Sequence, residues 1–170
     1  SGKYIMFLDS DDYLVENSIG GIVSRCLKDN PDLLRFCAAN SIDGTLERRF
    51  NYKDKGICPG KELLMGKFQV CATFALYKKD FLSNIDLRFY PGIYHEDNEF
   101  TPRAYYLADS TISVDELVYI VRQNPESISR TPNIKRGHDL LKIVDILTDF
   151  AENQVEEEYR AYIYKQISDC

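Results

Sequence analysis

The stretch Gly2-Lys3-Tyr4-Ile5-Met6-Phe7-Leu8-Asp9-Ser10-Asp11-Asp12 decides how this chain is read. Five consecutive apolar residues, Tyr4 to Leu8, run directly into three carboxylates. A continuous apolar run of that length predicts a strand buried on both faces, as in a parallel sheet. In open α/β sheets, sites lie at the carboxyl ends of strands. Three acids at such an end repel one another. A hard divalent cation with oxygen ligands offsets that repulsion and bridges to a substrate phosphate. The other reading is a polar turn whose aspartates cap the next helix. A buried central strand needs neighbours on both sides, so a run this close to residue 1 leads to the expectation that the natural chain begins earlier. An uncovered strand edge also invites association, which makes a homodimer burying Tyr4–Leu8 the expected state.

Two further acidic motifs compete for the same residues. A calcium EF-hand loop is excluded, because Tyr13 and Leu14 stand where it needs an oxygen ligand and a glycine. A phosphohydrolase of the haloacid dehalogenase type, with Asp9 as nucleophile, also places Asp-x-Asp after an apolar strand and is kept as an alternative. Tyr13 stands where that class usually carries Thr or Val, and no later Gly-Asp-x-x-x-Asp follows. A third alternative, outside enzymes, is a folded fragment serving only as an interaction module.

Working outward, Ile19, Ile22, Val23, Cys26 and Leu27 fall on one helical face, with Asn17 or Ser18 placed to cap it and Asp29-Asn30-Pro31 to end it. Leu33 to Ala39 reads as a second buried strand. Ser41 to Lys55 is polar, with Asp43-Gly44 as a hairpin turn and a weak alternation at Arg49–Tyr52. Pro59 to Met65 predicts a short helix, Val70 to Tyr77 a third strand and Lys79 to Ser83 another short helix. His95 to Ala108 predicts a longer helix. Thr111–Val114 and Leu117–Val121 are β-rich segments separated by Asp115-Glu116, and Asn124-Pro125 opens a loop. From Arg136 onward the pattern is helical, with one stripe through Leu140, Ile143, Val144, Leu147, Phe150 and Ala151 and another through Val155, Tyr159, Tyr162, Ile163 and Ile167. This order predicts an α/β fold with a mixed sheet.

The 170 residues carry a formal net charge of -6, with 44% apolar and 28% charged residues. That balance is ordinary for a globular protein and speaks against nucleic acid as a partner. The five cysteines, Cys26, Cys37, Cys58, Cys71 and Cys170, are odd in number and widely spaced. No CxxC pair exists among them, so they read as reduced thiols of a cytoplasmic protein rather than a zinc site. No apolar run reaches the length of a membrane span, which leaves peripheral contact with the membrane open.

A second acidic motif, His95-Glu96-Asp97-Asn98-Glu99-Phe100, stands at a predicted helix start. The helix dipole keeps a carboxylate there ionised, and an ionised carboxylate facing a sugar hydroxyl is a reasonable general base. Plain charge decoration of a helix terminus is the competing reading. His95 is read as a loop histidine, with a His–carboxylate metal site as the alternative. Arg122 ends a strand and is either a diphosphate ligand, through its guanidinium fork, or an edge arginine paired with a surface acid.

Three segments together resemble the family 2 glycosyltransferases, which have the GT-A fold. Gly2 to Asp12 is similar to that family's strand and Asp-x-Asp motif, and Tyr94-His95-Glu96-Asp97-Asn98-Glu99-Phe100 to its Glu-Asp motif. Leu117-Val118-Tyr119-Ile120-Val121-Arg122-Gln123 with Ser127-Ile128-Ser129 looks like the Tyr-x-x-Arg-Gln and Ser-Ile-Ser segment of many bacterial members. The resemblance covers about Gly2 to Arg130. It implies a partial GT-A catalytic domain over 1–130, with a helical extension over 131–170 packed on it. It also implies an inverting sugar transferase with a nucleotide-sugar donor and a saccharide or lipid-linked acceptor, of the kind that builds bacterial surface polysaccharides. Asp11 would coordinate Mn²⁺ or Mg²⁺, and Asp9 would support the metal or the donor's ribose and sugar. Asp97 would be the catalytic base, with Glu96 orienting the site or contacting the acceptor. The family's strands that hold the nucleotide base are expected ahead of residue 1, so this chain alone is expected not to transfer sugar. The Gln-x-x-Arg-Trp motif of processive synthases is absent, which implies single additions.

Overall fold

The computed structural model describes residues 2–66, 68–123 and 134–168. The segments Asn124-Pro125 and Ser127-Ile128-Ser129 lie outside the described residues. The chain packs as two compact units. The first comprises the described residues of Ser1–Cys58, Thr73–Phe81 and Asp109–Thr131, and the second those of Pro59–Ala72, Leu82–Ala108 and Pro132–Cys170. Where the sequence led to a single boundary after residue 130, the second unit also gathers two earlier segments. The short helix of the first segment packs on the longer helix of the second, which packs on the C-terminal pair.

The first unit is built on strands β1 (Tyr4–Met6), β2 (Tyr13–Leu14), β3 (Leu33–Ile42), β4 (Thr45–Arg48), β5 (Lys55–Cys58), β6 (Ala75–Lys78) and β7 (Thr111–Arg122). They form one sheet in the order β1-β6-β3-β7-β2, with β4 added on β3 and β5 on β7. Only β3 and β7 run parallel; every other described pairing is antiparallel. The mixed sheet is thus as expected, and its centre is where the chain is most apolar. Leu33 to Ala39 is buried without interruption, and Ile112, Val118, Tyr119 and Ile120 of β7 are at most 1% exposed. Arg35 is tolerated in this core because its Nε donates to Ser113 Oγ at 2.6 Å and its guanidinium covers the Tyr52 ring at 3.8 Å.

The opening strand is not the central parallel strand that its composition predicted. β1 covers three residues, pairs antiparallel with β6 alone among the described residues, and is only half-buried. Beyond Met6 the apolar run leaves the ladder: Phe7 packs against Tyr77 at 5.7 Å, and Leu8 is 50% exposed. An apolar run reports local composition, and a neighbouring strand is a long-range fact that it does not carry. Three other expectations are adjusted. Val70 to Phe74 is not strand; a 3₁₀ turn over Ala72–Phe74 precedes β6. The two β-rich segments after Thr111 are one strand whose register against β3 slips around Asp115-Glu116. The strand after the polar stretch is Lys55–Cys58, while Arg49–Tyr52 is irregular. The Asp43-Gly44 hairpin stands as expected, both residues having positive φ (47° and 80°), as a two-residue turn with right-twisted strands demands.

Helix α1 (Ile19–Asp29) buries Ile22 and Cys26, leaves Leu27 61% exposed, and ends at Asn30 in the left-handed conformation. A short α3 (Lys79–Asn84) follows β6, and α2 (Gly60–Leu64) precedes the 3₁₀ turn. The second unit packs α2 with α4 (Glu96–Leu107), α5 (Ile134–Asn153) and α6 (Glu157–Ser168). Its core is Phe100, Ala104 and Tyr105 of α4 with Ile143, Leu147, Phe150 and Ala151 of α5 and Ile163 of α6. Tyr106 joins them, edge-on to Phe150 at 5.6 Å. Among the described residues no helix is long and apolar enough to cross a membrane.

Candidate functional site

In the first unit, the chain leaving β1 makes a tight turn and enters β2. The turn closes through Asp12 N–H donating to the Asp9 carbonyl at 3.2 Å, with Ser10 and Asp11 at its two central positions. Aspartate suits the first position of such a turn because its side chain tolerates the local backbone geometry and competes well for nearby donors. β2 then pairs with the end of β7, Tyr13 opposite Ile120 and Leu14 opposite Tyr119. That pairing carries the acidic turn to the C-terminal end of the parallel β3–β7 pair, where Ser41 lies opposite Arg122. This is the end at which open α/β sheets bind ligands.

One side chain fastens the turn. The Tyr119 hydroxyl accepts the Asp9 N–H at 3.1 Å and donates to Asp12 Oδ2 at 2.8 Å. Its ring is fully buried and packs edge-on against Phe74 at 5.4 Å. Burial, first of all, pushes the phenol well above its ordinary pKa, and the Asp12 carboxylate adds to this, so the hydroxyl keeps its proton for that bond. The other Asp12 oxygen accepts the Arg122 N–H at 2.8 Å. Asp12 is thereby committed to holding the turn, while Asp9 and Asp11 face solvent. Among the described residues the Asp11 carboxylate has no hydrogen-bond or ion-pair partner.

Arg122 is exposed, with its guanidinium 5.8 Å from the centre of the Tyr13 ring. Among the described residues it pairs with no surface acid. The fold therefore brings Asp9, Asp11 and Arg122 to one place, two exposed carboxylates with a guanidinium beside their turn. The carboxylates are hard oxygen donors, which fit a hard divalent cation. Among the described residues no group of three His, Cys, Asp or Glu side chains is placed to hold a metal ion. The set matches the way Mg²⁺ is commonly held, by one or two carboxylates with substrate phosphates and water completing the shell.

Glu96 and Asp97 belong to the second unit, on the first turn of α4. Glu96 is exposed and Asp97 half-buried. The third acid of the motif, Glu99, is fully buried, accepting the Tyr90 N–H at 2.8 Å and pairing with Arg103. His95 precedes the helix with a φ of 61°. Its Nε2 receives the Arg136 guanidinium, from Nε at 3.1 Å and Nη2 at 3.0 Å. Partial burial, then the Arg136 charge, lower the pKa of the imidazole, which is neutral with its lone pair occupied. A metal-ligand role for His95 through Nε2 is therefore not what this arrangement supports.

Tyr119, Glu99 and the first turns of α5 are the positioning groups that sequence reasoning passed over. The Tyr119 role needed the β2–β7 pairing across more than a hundred residues. Asp139 did leave a signal, being an acid placed on the stripe that continues through Ile143 and Leu147.

The fold is α/β with a mixed sheet. It is shared with TarS of S. aureus: over 99% of this chain and 46% of a TarS 1–349 chain, the TM-score is 0.75 at 16% sequence identity. A TarS 1–349 structure in complex with UDP-GlcNAc matches over 99% of this chain and 57% of that one, with a TM-score of 0.64 and 14% identity. One in complex with UDP matches over 99% and 55%, with a TM-score of 0.58 and 15% identity. The chain spans about half the length of these TarS chains. No family model and no curated protein matches it.

Proposed function

We propose that the chain is part of a GT-A type, inverting glycosyltransferase that uses a nucleotide-diphosphate sugar, as in bacterial surface polysaccharide synthesis. The observation that carries this reading is the Asp9–Asp12 turn, fastened by Tyr119 and Arg122 at the C-terminal end of the parallel strand pair. The shared fold supports it, since TarS structures hold UDP-GlcNAc and UDP.

In this reading Asp11, with Asp9, holds Mn²⁺ or Mg²⁺, which supplies positive charge against the departing diphosphate. Arg122 adds a guanidinium to the same phosphates. Asp97 takes the proton of the acceptor hydroxyl as its oxygen bonds to the anomeric carbon, and the bond from that carbon to the diphosphate breaks on the opposite face. Glu96 orients the acceptor. Nothing covalent forms between sugar and protein, so the configuration inverts.

The test is calorimetric titration of the chain with UDP-GlcNAc and with UDP, in the presence and absence of Mn²⁺, for the wild type, Asp11→Ala and Arg122→Ala. Mn²⁺-dependent nucleotide binding that both substitutions weaken supports the reading. Binding that ignores Mn²⁺ and Asp11 removes the turn from the donor site.

A further inference from the structure

The geometry points to Lys135, Arg136 and Asp139, on the first turns of α5, as positioning residues that clamp the Gly92–His95 loop and so set where α4 presents Glu96 and Asp97. The inference rests on the reading of Asp97 as the base and adds the machinery that would hold it in place.

The loop cannot hold its own shape. Gly92 and His95 both have positive φ, 77° and 61°, and for a non-glycine residue such as His95 the left-handed region costs roughly 1–3 kcal/mol unless its surroundings impose it. α4 also begins without a side-chain cap, since His95 makes no capping hydrogen bond. The start of the helix is therefore held from outside, by three side chains of α5. Asp139 Oδ2 accepts the Tyr94 N–H at 2.9 Å. Lys135 Nζ donates to the Gly92 carbonyl at 2.7 Å, pairs with Asp139 one helical turn on, and lies 4.8 Å from the centre of the Tyr94 ring. Arg136 holds the His95 imidazole by two nitrogens.

Three consecutive features of the loop, the Gly92 carbonyl, the Tyr94 amide and the His95 ring, are thus met by three side chains within five residues of α5. Asp139 is the centre of the arrangement. It is buried on the face of α5 that continues into Ile143 and Leu147, where an apolar residue would serve packing better. An acid retained there joins the loop amide to Lys135, and both contacts hold its pKa below the ordinary carboxylate value, the Lys135 bond first. The immediate outcome is a fixed peptide at 94–95, from which the next residues, Glu96 and Asp97, project at a defined angle. A carboxylate that must meet an acceptor hydroxyl within hydrogen-bond reach needs such fixing, because small misplacements cost rate steeply.

The experiment uses NMR on the full chain, read without turnover, alongside transfer kinetics. Asp139→Ala is expected to speed exchange of the Tyr94 amide by about tenfold or more, and to move the amide shifts of Glu96 and Asp97, while amides of β3 keep their protection. Asp139→Asn retains an oxygen that accepts from Tyr94, and is expected to leave that exchange within about threefold of the wild type. In transfer by the intact enzyme, Asp139→Ala should lower kcat about tenfold with the donor KM within about twofold, and Asp139→Asn should recover most of it. Unaltered Tyr94 exchange in Asp139→Ala overturns the clamp. So does a kcat loss that Asp139→Asn shares in full, because that marks a structural ion pair only. A displaced helix start with unchanged kcat keeps the clamp and overturns the base reading of Asp97. Should Asp139→Ala fail to fold, Arg136→Gln carries the test: it should move the Glu96 and Asp97 amide shifts, and unmoved shifts overturn the proposal.

Discussion

Removing one oxygen from Tyr119 tests the account of the acidic turn. In Tyr119→Phe the ring keeps its edge-on contact with Phe74 and its place in the core, so the packing term is nearly unchanged. Two hydrogen bonds of the turn go, the one accepted from Asp9 N–H at 3.1 Å and the one donated to the Asp12 carboxylate at 2.8 Å, together with the bond to Thr73. A neutral bond of this kind contributes roughly 0.5–1.5 kcal/mol net, and one to a charged group roughly 1.5–3 kcal/mol. Asp9 is exposed, so water replaces the hydroxyl at its amide, and Asp12 retains the Arg122 N–H. The smaller of the two losses is therefore largely recovered, and the net cost is about 2 kcal/mol, carried mostly by the Asp12 bond. For a chain of this length that corresponds to a fall in Tm of roughly 4–8 °C. The assay is thermal unfolding followed by circular dichroism, completed as a double-mutant cycle with Asp12→Ala. A coupling of about 1–2 kcal/mol between the two substitutions is expected. A coupling below about 0.3 kcal/mol, or a Tm within about 1 °C of the wild type, would show that the hydroxyl does not fasten the turn. Nucleotide binding in the presence of Mn²⁺ should weaken in Tyr119→Phe as well, because Asp9 and Asp11 then have to be ordered by the ligand.

Three other outcomes are expected. Asp11→Ala should abolish Mn²⁺-dependent nucleotide binding in calorimetry while leaving Tm within about 1 °C, since the exposed carboxylate has no partner among the described residues; a marked loss of stability would reassign it to structure. Gly44→Ala should cost about 1 kcal/mol in denaturant unfolding, because its φ of 80° strains any residue with a Cβ although nothing stands in that Cβ's way. His95 is faced by Arg136 and Asp139 from α5 and by Glu96 from its own helix, and its folded pKa is lowered. The unfolded chain therefore takes up the proton first, and stability should fall as pH drops from about 6.5 to the folded value and then level off; in Arg136→Gln this slope should shrink, and an unchanged slope by chemical denaturation across that range would remove Arg136 as a cause.

What the sequence disclosed depended on how local each signal was. The Asp43-Gly44 turn, the helical stripe of α5 and the α4 boundary are set by neighbours within a few residues, and all are where spacing predicts them. The rank of β1 in the sheet is set by which strands arrive beside it, and composition alone overstated it as central. The acidic turn was legible as a site candidate because three acids after an apolar run demand some compensation. Its fastening was not, since Tyr119 lies 110 residues from Asp9 and 107 from Asp12, and only the β2–β7 register brings them together.

The two acidic motifs nevertheless share a division of labour that a run of like residues hides. In Asp9-Ser10-Asp11-Asp12 the last acid accepts the Tyr119 hydroxyl and the Arg122 amide. In Glu96-Asp97-Asn98-Glu99 the last acid is fully buried and accepts the Tyr90 amide beside Arg103. In each case a carboxylate made costly by its neighbours' charge is settled by donors from outside the run of acids, and this anchors the segment. Of the earlier acids, Asp11 and Glu96 stand exposed, and in the proposed reading their charge serves a ligand. Counting carboxylates thus finds the segment. Asking which of them the fold has already satisfied separates the anchors, Asp12 and Glu99, from the exposed Asp11 and Glu96.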